Sequence, residues 1–281
     1  AVPNVVGLAE AQAESALLAA GLAVGTKWWS PDTQPRGTVI GQRPTVGQMV
    51  DAGSIVELTV SQGPDEDPVP NPDTPSVSPR AHWRLDETAG TIAFDSAGDN
   101  DGLVHGHPTW VTGLIGGALQ FDGTDDYIDC GNDPSLALTE AITLAAWIRP
   151  RDIGDGQDNP YVTKGDSSYA IKGFREGNAV EFFIYDNGHH TCHFTGASAV
   201  NNEWHHVAGT YDGIQLRLYI DGVLKTTTAH TGSIALTTDP VNIGRNSQHV
   251  GRFYQGLIDD VRIYDDALSE SQVLALTVLP D

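Results

Sequence analysis

The stretch EWHHVAGTYDG, Glu203–Gly213, sets a tryptophan beside two consecutive histidines and ends in a turn. Three readings compete for it: a metal site, a catalytic dyad, or two histidines carried by a β-strand. Alternation puts Trp204, His206 and Ala208 on one face of a strand and His205, Val207 and Gly209 on the other. Imidazoles on opposite sides of a sheet cannot chelate one ion together. The Tyr-Asp-Gly that follows is a turn into IQLRLYIDG, Ile214–Gly222, a second strand ending in a tight Asp-Gly turn. The pair reads as a hairpin, with no acid placed to orient either imidazole. Both histidines read as framework.

Working outward, the same kind of segment recurs from His82 onward. GALQFDG, ITLAAWIRP, YVTKG, AVEFFIYD, TCHFTG and GLIDDVRIYDD are short, rich in β-branched and aromatic residues, and bounded by Gly, Asp, Asn or Pro. Helical periodicity returns only near SESQVLAL. Residues 82–281 therefore predict a large antiparallel β-sandwich of the jelly-roll kind. Upstream, DEDPVPNPDTPSVSPRA at 65–81 has five prolines, four acids and no aromatic residue. Such a segment buries no core and forms a semi-rigid, extended joint. Residues 1–64 make a smaller domain. Ala9, Ala13, Leu17 and Ala20 share one helical face with Gly21 as C-terminal cap, and AVGTKWWS, GTVIGQRP and SIVELTVSQG follow as strands. One helix on a three-stranded sheet, α+β, is the natural packing, so the chain as a whole is mainly β.

Composition narrows the partners. With 37 acids against 15 bases the net charge is -22, a surface that repels phosphate backbones and anionic lipid heads. Nucleic acid is excluded as a partner. So is membrane insertion, because no apolar run approaches the length of a span. Divalent cations suit such a surface better. The two cysteines, Cys130 and Cys192, form no CxxC pattern, leaving one disulfide or two separate buried thiols. A chain that opens on Ala without a signal peptide reads as processed or cut from something longer. Its composition fits an extracellular bacterial protein.

PNVVGL, the helix and PRGTVIGQRPTVGQMVDAGSIVELTVSQG together resemble a PASTA domain over residues 2–63. That resemblance implies an extracellular module, a spacer or a peptidoglycan contact. Trp28 and Trp29 depart from it; they read as packing against the joint or the neighbouring domain, with a ligand platform or a contact between neighbouring copies of the chain as the alternatives. EWHHVAGTYDG…LRLYIDGVL, with ALQFDGTDDYIDCG, ITLAAWIRP and GLIDDVRIYDDALS, resembles a laminin-G-like, concanavalin-A-like jelly-roll domain over residues 82–277. In that family Trp-His-His-Val-Ala is a framework strand, in agreement with the alternation.

The loop LDETAGTIAFDSAGDNDG, Leu85–Gly102, gathers oxygen donors at Asp95, Asn100 and Asp101 in a glycine-punctuated turn. The resemblance implies a structural calcium held by Asp95 and Asn100, with Asp259 brought in from the last strand. QFDGTDDYID reads instead as a hairpin turn with a solvated acidic face. For a glycan the required hardware is rings beside polar side chains. Trp110, Tyr185, His189, His190, His193, Arg252 and Tyr254 supply it, and His189, His190 and His193 are the alternative home for a transition metal. No paired carboxylates at glycosidase spacing, GxSxG or HExxH is present, and Glu181 stands alone. The chain is therefore expected to be a non-catalytic module that binds a glycan or a cell-surface protein. A repeat unit of a surface array and an accessory part of a secreted glycan-degrading enzyme are the alternatives.

Overall fold

The computed structural model describes residues 1–30, 34, 37–61, 77–151, 158–173, 179–195, 202–249 and 251–279. The side chains of Trp28 and Trp29 and residues 65–76 of the proline-rich joint lie outside that description. The chain divides into two units, Ala1–Ser76 and Val77–Asp281.

In the first unit, α1 (Glu10–Ala19) precedes β1 (Ala23–Ser30), β2 (Val39–Arg43) and β3 (Ile55–Ser61). Gly21 ends the helix at φ 71°, a conformation that costs glycine nothing, and Leu22 N–H closes onto Leu17 O at 3.0 Å. Ala13 and Leu17 pack on Val56, Leu58 and Val60 of β3, the central strand, parallel to β1 and antiparallel to β2. The PASTA-type arrangement read from the sequence is the one observed.

The second unit is two eight-stranded sheets. Its early strands are β4 (Ala81–Trp83), β5 (Ile92–Ala93), β6 (Gly102–His105), β7 (Thr109–Thr112), β8 (Gly117–Asp122) and β9 (Tyr127–Asp129). The middle of the chain gives β10 (Ile142–Pro150), β11 (Asn159–Thr163), β12 (Tyr169–Gly173), β13 (Ala179–Tyr185) and β14 (His189–Thr195). Then come β15 (His205–Tyr211), β16 (Gln215–Ile220), β17 (Val223–Ala229), β18 (Asn242–Ile243), β19 (Gln255–Tyr264) and α2 (Glu270–Ala275). Sheet I runs β17-β16-β15-β10-β19-β8-β7, with β4 also on β19, and sheet II runs β14-β13-β12-β11-β18-β9-β6-β5.

β10 lies between β15 and β19 and is apolar on both faces for a reason. Leu144, Ala146 and Ile148 enter the main core, while Ala145 joins Ala208, Tyr219, Tyr264 and Leu268 in a second cluster completed by Val273 of α2. Ser269 and Gln272 close a capping box on that helix. The opening hairpin is β15–β16, antiparallel, with Val207 in the main core and Ala208 in the second cluster, as alternation requires.

Three details differ from the sequence reading. An acid does orient a histidine: Asp221, in the turn after β16, has Oδ2 2.8 Å from His205 Nδ1 and accepts the His206 N–H at 3.0 Å. It was missed because it lies a full hairpin away along the chain. The DGTDD turn is a corner between sheets rather than a hairpin, since β8 belongs to sheet I and β9 to sheet II. Asp126 fixes that corner by accepting the N–H groups of His107 and Asp122 at 2.7 and 2.9 Å. The sandwich unit also starts before residue 82, with Val77 packed on the second cluster and Arg80 N–H donating to Ile263 O at 2.7 Å. Of the two alternatives left open for Cys130 and Cys192, the structure has the buried free thiols.

The sheets meet most closely where Gly209 of β15 faces Phe182 of β13: a Cβ at Gly209 would fall 2.2 Å from Phe182 Cγ. The ring is hemmed in by the core and cannot retreat. Gly209→Ala is therefore expected to cost about 1–3 kcal/mol of stability by overpacking. Urea denaturation checks this, and an unchanged midpoint would contradict the close approach.

Candidate functional site

Alternation along β13 sends Val180, Phe182 and Ile184 into the main core and leaves Glu181, Phe183 and Tyr185 on the outer face of sheet II. Register extends that face sideways. Lys172 of β12 and His193 of β14 stand opposite Glu181, and His189 stands opposite Tyr185. Lys172 Nζ lies 2.9 Å from Asp158 and 3.5 Å from Glu181, and Arg252 reaches the same Asp158 at 3.1 Å. Carboxylates and cations thus alternate along a band, which is what lets Asp158 and Glu181 stay buried. Burial pushes the Glu181 carboxyl up, and the Lys172 charge opposes it. Beside the band, the exposed His189 ring meets Phe183 and Tyr185 edge-on, centroids 5.0 and 5.3 Å away. Lys172 Nζ sits 5.4 Å over the Phe183 ring.

The far end of the same face carries a second aromatic group. Tyr127 precedes the core residue Ile128 and so points outward. His105 stacks on it at 4.5 Å and Arg245 covers it at 4.1 Å. These residues come from β6, β9 and the segment after β18, so no local pattern announces them.

Of the residues singled out for a ligand, Tyr185, His189, His193 and Arg252 fall on or beside this face. Tyr254 does not: it is fully buried, edge-on to Phe121 and Tyr161, with its hydroxyl donating to Leu257 O at 3.1 Å. It is a core residue. Trp110 lies in β7 of sheet I, half-buried against the core, its Nε1–H donating to Gly90 O at 3.1 Å. His190 is turned by alternation away from His189 and His193. It meets His230, whose ring stacks on it at 3.4 Å, and Asp186 of the β13–β14 turn, whose carbonyl oxygen lies 3.1 Å from its Nε2.

The residues expected to share a calcium ion are not all brought together. Asp95 Oδ1 accepts N–H from His82 and Ala97, and Oδ2 accepts both the backbone N–H and the side-chain amide of Asn100. Asn100 Oδ1 in turn accepts from Ser135. Burial raises the Asp95 carboxyl, but those hydrogen bonds outweigh it and hold the group below the usual range. Trp83 of β4 pairs with Asp95 on one side and with Val261 of β19 on the other. β4 therefore stands between Asp95 and the strand carrying Asp259. Asp101 is likewise engaged, its Oδ1 accepting Asp95 N–H at 2.8 Å.

Asp259 serves a different loop. Its Oδ2 accepts the N–H groups of Leu114 and Ile115, both at 2.9 Å, while Oδ1 is buried without a partner. Burial pushes its carboxyl up to about 7, with Asp260 and Asp86 adding repulsion. Asp260 has the opposite fate: although burial opposes it, His82 Nε2 at 2.6 Å and the Arg262 guanidinium hold its carboxyl low. His206, sealed beneath the Trp147 ring, is pushed down to about 4 by burial.

The two antiparallel sheets packed face to face are a β-sandwich of jelly-roll type. The model of the concanavalin A-like lectin/glucanases superfamily matches residues 122–274, and that of the PASTA domain matches residues 1–62. The chain belongs to the concanavalin A-like lectin/glucanases superfamily and carries a PASTA domain ahead of the sandwich. Adhesion G-protein coupled receptor V1 of Danio rerio is 28% identical over 147 residues, 47% of this chain, and the match spans 2% of the receptor's length. Domain 4 of AbnA, an extracellular arabinanase of Geobacillus stearothermophilus solved with arabinotriose, superposes with a TM-score of 0.58 at 20% identity, covering 72% of this chain and 99% of that one. The binding domain of botulinum neurotoxin DC, solved with rat synaptotagmin II, gives 0.55 at 18% identity, covering 71% and 51%. At these identities the likeness to the solved structures is one of fold.

The two perturbed buried groups predict opposite pH dependences. His206 titrates near 4 when folded against 6.5 otherwise, so the unfolded chain binds the extra proton and acidification through that window costs stability. Asp259 titrates near 7 when folded against 3.8, so the native state binds the extra proton and stability falls as pH rises from 3.8 to 7. At roughly 1.4 kcal/mol per pH unit of separation this is about 3–4 kcal/mol for His206 and about 4–5 kcal/mol for Asp259, and in the unaltered chain they largely offset. Thermal melts from pH 4 to 8 check this. Asp259→Asn should gain Tm over the unaltered chain as pH rises, and His206→Gln should gain as pH falls. Three parallel curves would contradict both assignments.

Proposed function

We propose that this chain is an extracellular, non-catalytic binding module whose sandwich takes a neutral glycan on the outer face of sheet II, with the PASTA domain as spacer. The observation that carries this reading is the convergence on one sheet face of Lys172, Glu181, His189, His193 and Tyr185. Sugar rings offer apolar C–H faces and a rim of hydroxyls. Tyr185 and His189 supply ring surface, and exposed His193 supplies a polar group beside them, backed by the buried Lys172–Glu181 pair. A net charge of -22 disfavours sulfated or sialylated ligands and favours neutral ones. The arabinotriose held by domain 4 of AbnA, a sandwich of the same fold, supports a sugar as ligand.

The same band argues against hydrolysis. A glycosidase needs two carboxylates flanking the scissile bond, free to act as acid and base. Here Lys172 stands between Asp158 and Glu181 and pairs with both, and Arg252 pairs with Asp158 as well. Among the described residues no helix is long and apolar enough to cross a membrane.

The test is calorimetric titration of the full chain with arabinotriose and with the best neutral hit from a glycan array. Tyr185→Ala and His189→Ala are each expected to weaken binding at least about tenfold, a loss of about 1.4 kcal/mol. Trp110→Ala should leave affinity unchanged. An array silent for every neutral glycan would overturn the reading and leave a cell-surface protein as the partner to seek, in line with the synaptotagmin II with which the neurotoxin binding domain was solved.

A further inference from the structure

We propose that Asp186, His190 and His230 form a binding site for a transition-metal ion of the zinc class, clasping the two sheets together at their shared edge. The site is separate from the glycan face, because His190 points to the opposite side of sheet II from His189 and His193.

The three residues arrive from different places. His190 is the second residue of β14, the edge strand of sheet II. Asp186 opens the β13–β14 turn, held by its N–H bond to Gly188 O at 2.9 Å. His230 follows directly on β17, the edge strand of sheet I. His230 Nε2 lies 3.1 Å from Asp186 Oδ2, and one ligand atom from each side chain falls within 4.8 Å of the others. Both imidazoles therefore turn the Nε2 edge toward Asp186.

The surroundings are fitted to this group. Residue 232 is a glycine, and a Cβ there would stand 2.0 Å from Asp186 Oδ2 and 2.8 Å from His230 Nε2, so a larger residue would push the carboxylate and the ring out of their present places. The Tyr211 hydroxyl donates to Gly232 O at 2.8 Å, and His230 N–H donates to Ile214 O at 3.0 Å, so the segment carrying His230 is anchored to the opening hairpin. Asp186 and His230 keep 24% and 14% of their side-chain surface exposed, which gives an ion a way in and a water a place on it.

Ligand chemistry selects the ion. Two imidazole nitrogens and one carboxylate oxygen suit zinc, with nickel and copper as competitors, and do not suit calcium, which takes oxygen ligands. Bonds of about 2.0–2.1 Å place tetrahedral ligands about 3.3 Å apart, so the group must contract. The two rings lie 16° from parallel and cannot both aim a lone pair at one point as they stand. Closure turns one imidazole about its Cβ–Cγ bond, a torsion with a broad, soft profile. Three protein ligands and an open position resemble a catalytic site in count, but the ligands come from the edge strands and turns of two sheets, and the role assigned is a clasp.

Zinc titration of the metal-stripped full chain tests the proposal. One equivalent should bind and raise Tm, binding should weaken on acidification as the imidazoles protonate, and calcium should do neither. His190→Asn and His230→Asn should each weaken zinc at least about tenfold, while His249→Asn should not. Cobalt(II) added to the unaltered chain gives a readout that needs no variant, an intense tetrahedral visible absorption. Absence of zinc binding, affinity indifferent to His230→Asn, or a weak octahedral cobalt spectrum would each overturn the site and leave Asp186–His230 a simple hydrogen bond. Glycan binding is unaffected by any of these outcomes, so the two readings fail independently.

Discussion

The contact between the Phe182 ring and Gly209 sets the spacing of the two sheets and, with it, the side on which every other residue of β13 lies. A strand has a period of two, so seating Phe182 in the core commits Val180 and Ile184 to the same side. Glu181, Phe183 and Tyr185 then have nowhere to go but the outer face. A slip of one residue would bury Glu181 against Gly209 and expose three core side chains, a cost no local interaction could offset. The binding face is thus a by-product of the core, held in register by the same packing that holds the fold.

Charge follows from that constraint. An outer face that carries Asp158 and Glu181 below the surface can exist only if cations come with them, and Lys172 and Arg252 do. Where no cation is supplied, the carboxyl gives way instead. Asp259, with one oxygen satisfied by two backbone N–H groups and the other by nothing, is held nearer its neutral form. His206 makes the mirror-image adjustment and stays uncharged beneath Trp147. Paired Lys172 directly follows Ile171, a main-core residue of β12, so the change from ionic to apolar surroundings is abrupt.

Much of this was legible in the sequence, and the reason is periodicity. Alternation in EWHHVAGTYD separates His205 from His206, and the same alternation at His189–His193 puts His190 on the far side. The helix of the first unit and the capped helix after Ser269 announce themselves by spacing and by caps. What stayed hidden depends on residues that meet only through the fold. Asp221 reaches His205 across a hairpin, and His230 reaches Asp186 across the edge of two sheets. Tyr254 looked like a surface aromatic among polar residues, yet it fills the core beside Phe121 and Tyr161. Asp95, Asn100 and Asp259 have the composition of a calcium site. Composition does not reveal that backbone N–H groups already occupy the carboxylates, or that β4 stands between the two aspartates.

The central claim, that the outward residues of β13 and its neighbours form the ligand face, is tested most directly by an NMR titration of the full chain with arabinotriose. The account predicts that the signals of Lys172, Glu181, Tyr185, His189 and His193 move together and saturate at one concentration. Shifts confined to Trp110 and the Leu114–Ile115 loop on sheet I, with the β13 signals unmoved, would contradict it.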